Sequence, residues 1–420
     1  MIRITRNKGD LHGEIRLPAS KSISNRLLIL QYCYGNSLEI NGLSNSDDTV
    51  LMSSILDLVR QYQLRGETGL LRIDAKNAGT VMRFLIPLLS VTRGHYLLTG
   101  NERMKKRPVG ALVEAMRDTG AEIDYLEEPG YPPLIIRGRP LSGGRIKLDA
   151  SVSSQFVTAV LLLAPSLEDG LTLELTGLRA SWPYVKMTTG ILTYLGIQVI
   201  DQEYAIRVYP KKTMKIRVSV ESDWSSSSFW YSMLTMAPDG ELSFPGLRKS
   251  GLQGDQHVEK LFRQLGIVTV EESTGVKIIK QGMIRENFHA DFSGYPDLAM
   301  PLIMACAVEG IQGTFTGLDR LRIKESDRIA ALTAGLNRVG ITFREEFQGV
   351  WRLSGRLIDP CEVLIDDMED HRVAMTFAGL AMKGFSVTME HPGAVAKSYP
   401  DFWKELERNG FVCSFSVEKN

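Results

Sequence analysis

The chain has 420 residues, with 49 Lys+Arg against 49 Asp+Glu, 44% hydrophobic and 23% charged residues. At roughly 100–200 residues per domain this length predicts two or three domains, and the balanced charge excludes the basic excess of a nucleic-acid-binding protein, so any polyanion site must be local. The longest clean apolar run, Phe156 to Pro165, is about half of the roughly 20 residues needed to cross a bilayer, which excludes a membrane-spanning chain.

The opening MIRITRNKGDLHGEIRLP alternates as a strand does and lacks the apolar run of a signal peptide, so a cytoplasmic location is expected. Cys33, Cys306, Cys361 and Cys413 lie far apart with no CxxC pair. They predict neither disulfides nor a zinc site, but buried, inert thiols. A repeat then organises the sequence. Six apolar segments rich in small residues close at Gly35, Gly94, Gly170, Gly240, Gly310 and Gly384, with spacings of 59, 76, 70, 70 and 74 residues. A short strand-like run follows each and ends at Gly42, Gly100, Gly177, Gly246 and Gly317; the sixth, VTMEH, puts His391 at that point. In most units a helical pattern comes next and stops at a further glycine, Gly120, Gly196, Gly266, Gly340 or Gly410, as helices do at a C-terminal glycine. A period near 70 is too long for a solenoid of helix pairs, so the chain reads as six copies of a complete α/β unit grouped three and three. The polar VESDWSSSS between the third and fourth units is a candidate interdomain crossing and equally a set of helix-capping residues.

The first helix of each unit begins with residues suited to anions: SKSISNR at 20–26, NAGT at 77–80, SSQ at 153–155, SSSS at 225–228, PD at 296–297 and DHR at 370–372. Unpaired N–H groups and the positive dipole end favour phosphate or carboxylate there, by about 0.3–1 kcal/mol from the dipole. Taken singly, such residues are often only caps. Their company is cationic, however: Lys21, Arg26, Arg107, Lys324, Arg328, Arg372 and Lys397. Charge-assisted hydrogen bonds contribute roughly 1.5–3 kcal/mol each, more than the dipole. Asp297 and Glu325, carboxylates among these cations, are candidate acid/base groups, although a cap and a simple ion pair are their plainer readings. GxxxxGK[ST], GxGxxG, HExxH and GxSxG are all absent, which removes kinase, Rossmann, zincin and α/β-hydrolase readings.

The ordered motifs PASKSISNR, KNAGTVMR, RMKKRPVG, SSQFVTAVLL, SWPYVKMT, YPDLAMPL, RIKESDRI, DHRVAMTFA and AKSYPDFW resemble the enolpyruvyltransferases over nearly the whole chain. The resemblance implies an α/β (α+β) fold, a two-domain inside-out α/β barrel with three βαβαββ units per domain. One domain would hold residues 1–18 with 224–420 and the other 19–223, with a hinge near 19–21 and 220–225. The implied reaction joins phosphoenolpyruvate to the 5-hydroxyl of shikimate 3-phosphate and releases phosphate, on the pathway to chorismate and the aromatic amino acids, without metal or organic cofactor. Shikimate 3-phosphate would meet Lys21, Ser22, Arg26, Ser153, Ser154, Gln155, Ser181, Tyr184, Asp297 and Lys324. Phosphoenolpyruvate would meet Lys21, Gly79, Arg107, Gln155, Arg328, Arg372 and Lys397. Asp297 would accept a proton, with Lys21 and Glu325 serving the methylene carbon. A monomer with small-molecule substrates, no nucleic acid and no membrane is expected.

Two positions depart from the pattern: Arg320 stands where related chains carry Asn, which puts a substrate contact there in doubt, and Phe84 follows NAGTVMR where Pro is common. Gly79 leaves room for glyphosate, a phosphoenolpyruvate mimic. The sister enzymes acting on UDP-N-acetylglucosamine carry a reactive Cys in the loop that here reads NERMKKRPVG, and SSQ with KESDR favours the shikimate branch. A non-catalytic anion-binding protein would not need Lys21, Asp297 and Glu325 together.

Overall fold

A helix that is apolar on every side is stable only when covered on every side, and the sequence contains several. In the computed structural model, which describes residues 1–151, 153–179, 181–212, 215–282 and 287–416, the helices Trp224–Met236, Ala299–Val308 and His371–Ala378 bury every residue except Ser225. The Ala299–Val308 helix packs against both others. Three four-stranded sheets cover them, and the strands present their apolar residues inward: in Ile2–Arg6, Ile2 and Ile4 are fully buried while Arg3 is exposed.

Each of these sheets has one plan. In the simplest, Asn287–Asp291 runs parallel to Gln312–Thr316 across the buried helix between them, and the hairpin Ile341–Phe347/Val350–Gly355 adds on antiparallel. The other two sheets borrow from the chain start. Leu11–Glu14 pairs parallel with Gly240–Pro245 as the opening strand of the fourth repeat. Ile2–Arg6 lies between Ser386–Met389 and Phe411–Phe415 and completes the sixth. Hydrogen bonds and the burial of Ile2, Ile4, Leu11 and Ile15 in one core thus place the chain start with the C-terminal half. By contact, the chain divides into two compact units, Met1–Ala19 with Glu221–Asn420, and Ser20–Val220.

The Ser20–Val220 unit is built alike, with the buried helices Lys21–Tyr34, Gly79–Val91 and Ser154–Leu163 in mutual contact. Its first repeat departs from the expected six elements. Ile216–Ser219 pairs with Leu38–Asn41 in a sheet of two strands, and after the Asp47–Leu64 helix the chain passes to Leu70–Asp74 of the next repeat. The intervening residues 65–69 are too few for a hairpin. This shortening accounts for the first spacing of 59 residues; the helix still closes at a left-handed glycine, Gly66 at φ +64°.

The helix-capping reading of VESDWSSSS holds. Asp223 caps the Trp224–Met236 helix, its side chain accepting from the Ser226 N–H at 2.9 Å, while Ser222 bridges Ala19 beside the crossing between units. One expectation fails: Cys306 and Cys413 are buried and Cys33 partly so, but Cys361 is exposed, because it follows Pro360 in a surface loop and enters a strand only at Glu362. No helix is long and apolar enough to cross a membrane among the described residues.

Candidate active site

In the unit formed by residues 1–19 and 221–420, four of the singled-out residues meet at the starts of buried helices. Asp297 sits in a 3-10 turn, Pro296–Leu298, directly before the Ala299–Val308 helix. Its carboxylate accepts from Arg372 Nη2 at 2.8 Å and from Arg328 Nη1 at 3.4 Å, and its carbonyl accepts from Arg372 Nη1 at 3.2 Å. Burial by itself would raise the Asp297 pKa; the charges of Arg372, Lys324 and Arg328 outweigh burial and the opposing Glu325, and hold it well below the usual carboxylate range. Arg328, with a side chain 2% exposed, also donates to Glu325 at 2.8 Å and to both oxygens of Asp370 at 2.8 and 3.2 Å. Desolvation opposes its charge, yet Asp370, Glu325 and Asp297 push its pKa up further. Asp297 is therefore no helix cap, and Glu325 does form an ion pair, as one member of a network. Lys324 and Lys397 are half-buried, at the ends of the 3-10 turns Asp319–Ile323 and Pro392–Lys397. Arg320 is also half-buried, its pKa lowered by desolvation against the pull of Asp319.

In the Ser20–Val220 unit the other singled-out residues gather at and around four helix starts. Ser20 caps the Lys21–Tyr34 helix, and the Lys21 ammonium donates to Asp48 at 3.1 Å. Arg26, one turn on, is buried, and its hydrogen bonds go only to uncharged acceptors: Thr188 and Thr158 hydroxyls and the Ser22 and Tyr184 carbonyls. Burial lowers its pKa to about 10, against a pull from Tyr184. Phe84 lies under it, with the guanidinium carbon 5.7 Å from the ring centroid, so an aromatic face supports Arg26.

Ser153 caps the Ser154–Leu163 helix by accepting from the Gln155 N–H at 3.2 Å. Gln155 Nε2 in turn donates to Thr80 at 3.3 Å, next to Gly79. A methyl group on Gly79 would stand 2.6 Å from both Arg107 Nη2 and Arg83 Nη1. Arg83 is itself held by the Gly79 and Pro108 carbonyls, both at 3.2 Å. Ser181 precedes the Trp182–Tyr194 helix at φ +47°, a left-handed conformation that is sparsely populated for a non-glycine residue and that clusters at ligand sites. Within its own unit, each set of singled-out residues is thus brought to neighbouring helix starts.

Three participants were not singled out in the sequence. Asp370 is fully buried, caps the His371–Ala378 helix, and is the principal partner of Arg328. Asp48 pairs with Lys21, and Arg83 flanks Gly79. Local signals existed for two: Asp370 opens the DHR helix start, and Arg83 lies four residues after Gly79, on the same helix face. Nothing local pairs Asp48 with a lysine 27 positions earlier.

Comparison with known proteins follows the same lines. Residues 5–406 match the sequence family described as EPSP synthase (3-phosphoshikimate 1-carboxyvinyltransferase). A 3-phosphoshikimate 1-carboxyvinyltransferase of Bacteroides fragilis strain YCH46 is 38% identical over 404 residues, 96% of each chain. One of Vibrio atlanticus is 33% identical over 414 residues, 94% of this chain and 96% of the other. An EPSP synthase structure from Acinetobacter baumannii superposes with a TM-score of 0.73 at 21% identity, covering 99% of this chain and all of that one, and so shares the two-domain fold.

Proposed function

The chain belongs to the EPSP synthase family and transfers the enolpyruvyl group of phosphoenolpyruvate to the 5-hydroxyl of shikimate 3-phosphate; from that premise we propose how its residues divide the work. The carrying observation is Asp297 flanked by Arg328 and Arg372, with Glu325 on Arg328. It supports a base and a second carboxylate among cations, as addition across the double bond of an enol phosphate requires.

Lys21, Ser22, Arg26, Ser153, Ser154, Gln155, Ser181, Tyr184, Asp297 and Lys324 hold shikimate 3-phosphate. Arg26 supports this reading most directly, because a buried cation with only neutral acceptors is satisfied by an anion. Lys21, Gly79, Arg107, Gln155, Arg328, Arg372 and Lys397 hold phosphoenolpyruvate. Without ligands, Arg372 and Arg328 press Asp297 into its ionised form. A phosphate or carboxylate on those guanidiniums shares their charge, so the Asp297 pKa rises and it becomes a stronger base for the 5-hydroxyl. Lys21 and Glu325 exchange the proton at the methylene carbon: protonation there makes C2 electrophilic, the 5-hydroxyl oxygen adds, and loss of phosphate with a C3 proton restores the double bond. The substrates arrive as small molecules, and the protein acts as a monomer in the cytoplasm.

The direct test is phosphate release from phosphoenolpyruvate with shikimate 3-phosphate or UDP-N-acetylglucosamine as acceptor; release requires the former, and release with only the nucleotide sugar would overturn the assignment. Gly79→Ala tests the other unit. The added methyl forces Arg107 or the doubly held Arg83 to move, so KM for phosphoenolpyruvate should rise roughly tenfold, equivalent to about 1.4 kcal/mol, and glyphosate inhibition should weaken. Unchanged values for both would remove Gly79 from the site.

A further inference from the structure

Internal comparison of the repeats isolates one anomaly. In three repeats the opening strand ends on an Asp paired with a Thr: Asp74 with Thr99, Asp149 with Thr176, Asp291 with Thr316. The residues that follow on the two strands are a buried apolar residue and a glycine: Ala75 and Gly100, Ala150 and Gly177, Phe292 and Gly317. In the sixth repeat Ile365 pairs with Met389, and two positions on, at the point the others give to apolar residue and glycine, stand Asp367 and His391. Asp367 is fully buried, and a charge in an apolar slot is expensive unless paired. It accepts from the His391 N–H at 2.9 Å, from His391 Nδ1 at 2.6 Å and from the Glu369 N–H at 3.0 Å. His391 has φ −115°, whereas Gly177 and Gly317 have φ +72° and +71°. Two non-glycine residues of this repeat, Met368 and Glu369, are left-handed at φ +50° and +53° and lie in the loop that Asp367 holds.

The two segments so joined both carry cations assigned above to phosphoenolpyruvate. Asp367 lies five residues before Arg372, and its carbonyl accepts from the N–H of Asp370, the cap and Arg328 partner. His391 opens the turn Pro392–Lys397, which packs against the His371–Ala378 helix. We propose that the Asp367–His391 pair is a proton-dependent clamp that positions Arg372 and Lys397 for phosphoenolpyruvate, with His391 a positioning residue that touches no substrate. This rests on the assignment of those two cations.

Partial burial of the imidazole disfavours its charge, but the hydrogen bond to Asp367 and the charges of Asp367, Glu369 and Glu390 outweigh it and raise the His391 pKa above its ordinary 6.5. A raised histidine contributes fully below its unfolded pKa and loses its contribution as pH rises through the folded value. The clamp is therefore tight in mildly acidic solution and loosens in alkali.

The test is KM for phosphoenolpyruvate from pH 6 to 9 in wild type, His391→Asn and His391→Lys. The substrate's own titration is common to all three and cancels in ratios. The Asn/wild-type ratio should be about 5 at pH 6, where part of a charge-assisted bond is lost, and should fall toward 1 by pH 9. The Lys variant should stay near the acidic wild-type value throughout, while kcat and KM for shikimate 3-phosphate remain within about twofold. A pH-independent ratio, or equal changes in both KM values, would overturn the clamp. Lys397→Met separates the two layers: an unchanged KM for phosphoenolpyruvate would fail the cation assignment itself, whereas a raised KM beside a flat Asn/wild-type ratio would fail only the clamp.

Discussion

Asp297→Asn is expected to lower kcat by about 10² or more while leaving shikimate 3-phosphate binding largely intact, because general-base contributions run to 10²–10⁴. The substitution keeps the size of the side chain and one oxygen for Arg372 or Arg328, whose present distances are 2.8 and 3.4 Å, but removes the proton acceptor. Steady-state turnover and titration of the shikimate 3-phosphate affinity decide it, and near-normal turnover would strip Asp297 of the role. A second readout comes from pH. The folded pKa of Asp297 is depressed, with burial opposing and Arg372, Lys324 and Arg328 dominating. Its ion pairs thus contribute stability above its unfolded pKa of about 3.9, lost as pH falls toward the lower folded value. The stability gap between wild type and Asp297→Asn should accordingly narrow below pH 4, and a constant gap would contradict the ion-pair account.

The largest stability effect is expected at Asp370. Its carboxylate, fully buried, receives Arg328 Nε and Nη2, the Ser326 hydroxyl and the Arg372 N–H. Asp370→Ala removes the acceptor of four donors at once, two of them on a guanidinium 2% exposed, of which Nη2 keeps Glu325. Breaking a buried pair from one side costs about 3–5 kcal/mol, with a helix cap lost besides. Asp370→Asn keeps an acceptor oxygen and should cost less. Urea denaturation followed by tryptophan fluorescence measures this well, since Trp224, Trp230, Trp351 and Trp403 all belong to the unit that contains Asp370. A loss below about 1 kcal/mol for Asp370→Ala would mean that Glu325 and Asp297 suffice to hold Arg328.

Much of this was written along the chain. The glycine periods count the repeats because the glycines sit where helices or strands begin or end, a local requirement; Gly196 and Gly340, at φ +71° and +85°, close helices as read. The Ala299–Val308 helix announces its burial by composition, and the motifs at the helix starts name the family and its candidate residues, since binding charged ligands demands particular side chains at particular helix ends. Even the shortened first repeat left a trace in its spacing of 59.

Tertiary structure decided the rest, wherever partners lie far apart in sequence. Ile2–Arg6 finishing a sheet with residues 386–389 and 411–415, Lys21 on Asp48, Arg328 on Asp370 and His391 on Asp367 all join residues that no local pattern couples. Local propensity and periodicity depend on neighbours within a turn or two, so the sequence by itself determined the repeat, the buried helices and the identity of the reactive side chains. The state of those side chains was set by folding: Asp297 held ionised, Arg328 bound by three carboxylates and Arg26 met only by neutral acceptors. Electrostatic energy depends on distance and burial in space, and both exist only once the chain has closed on itself.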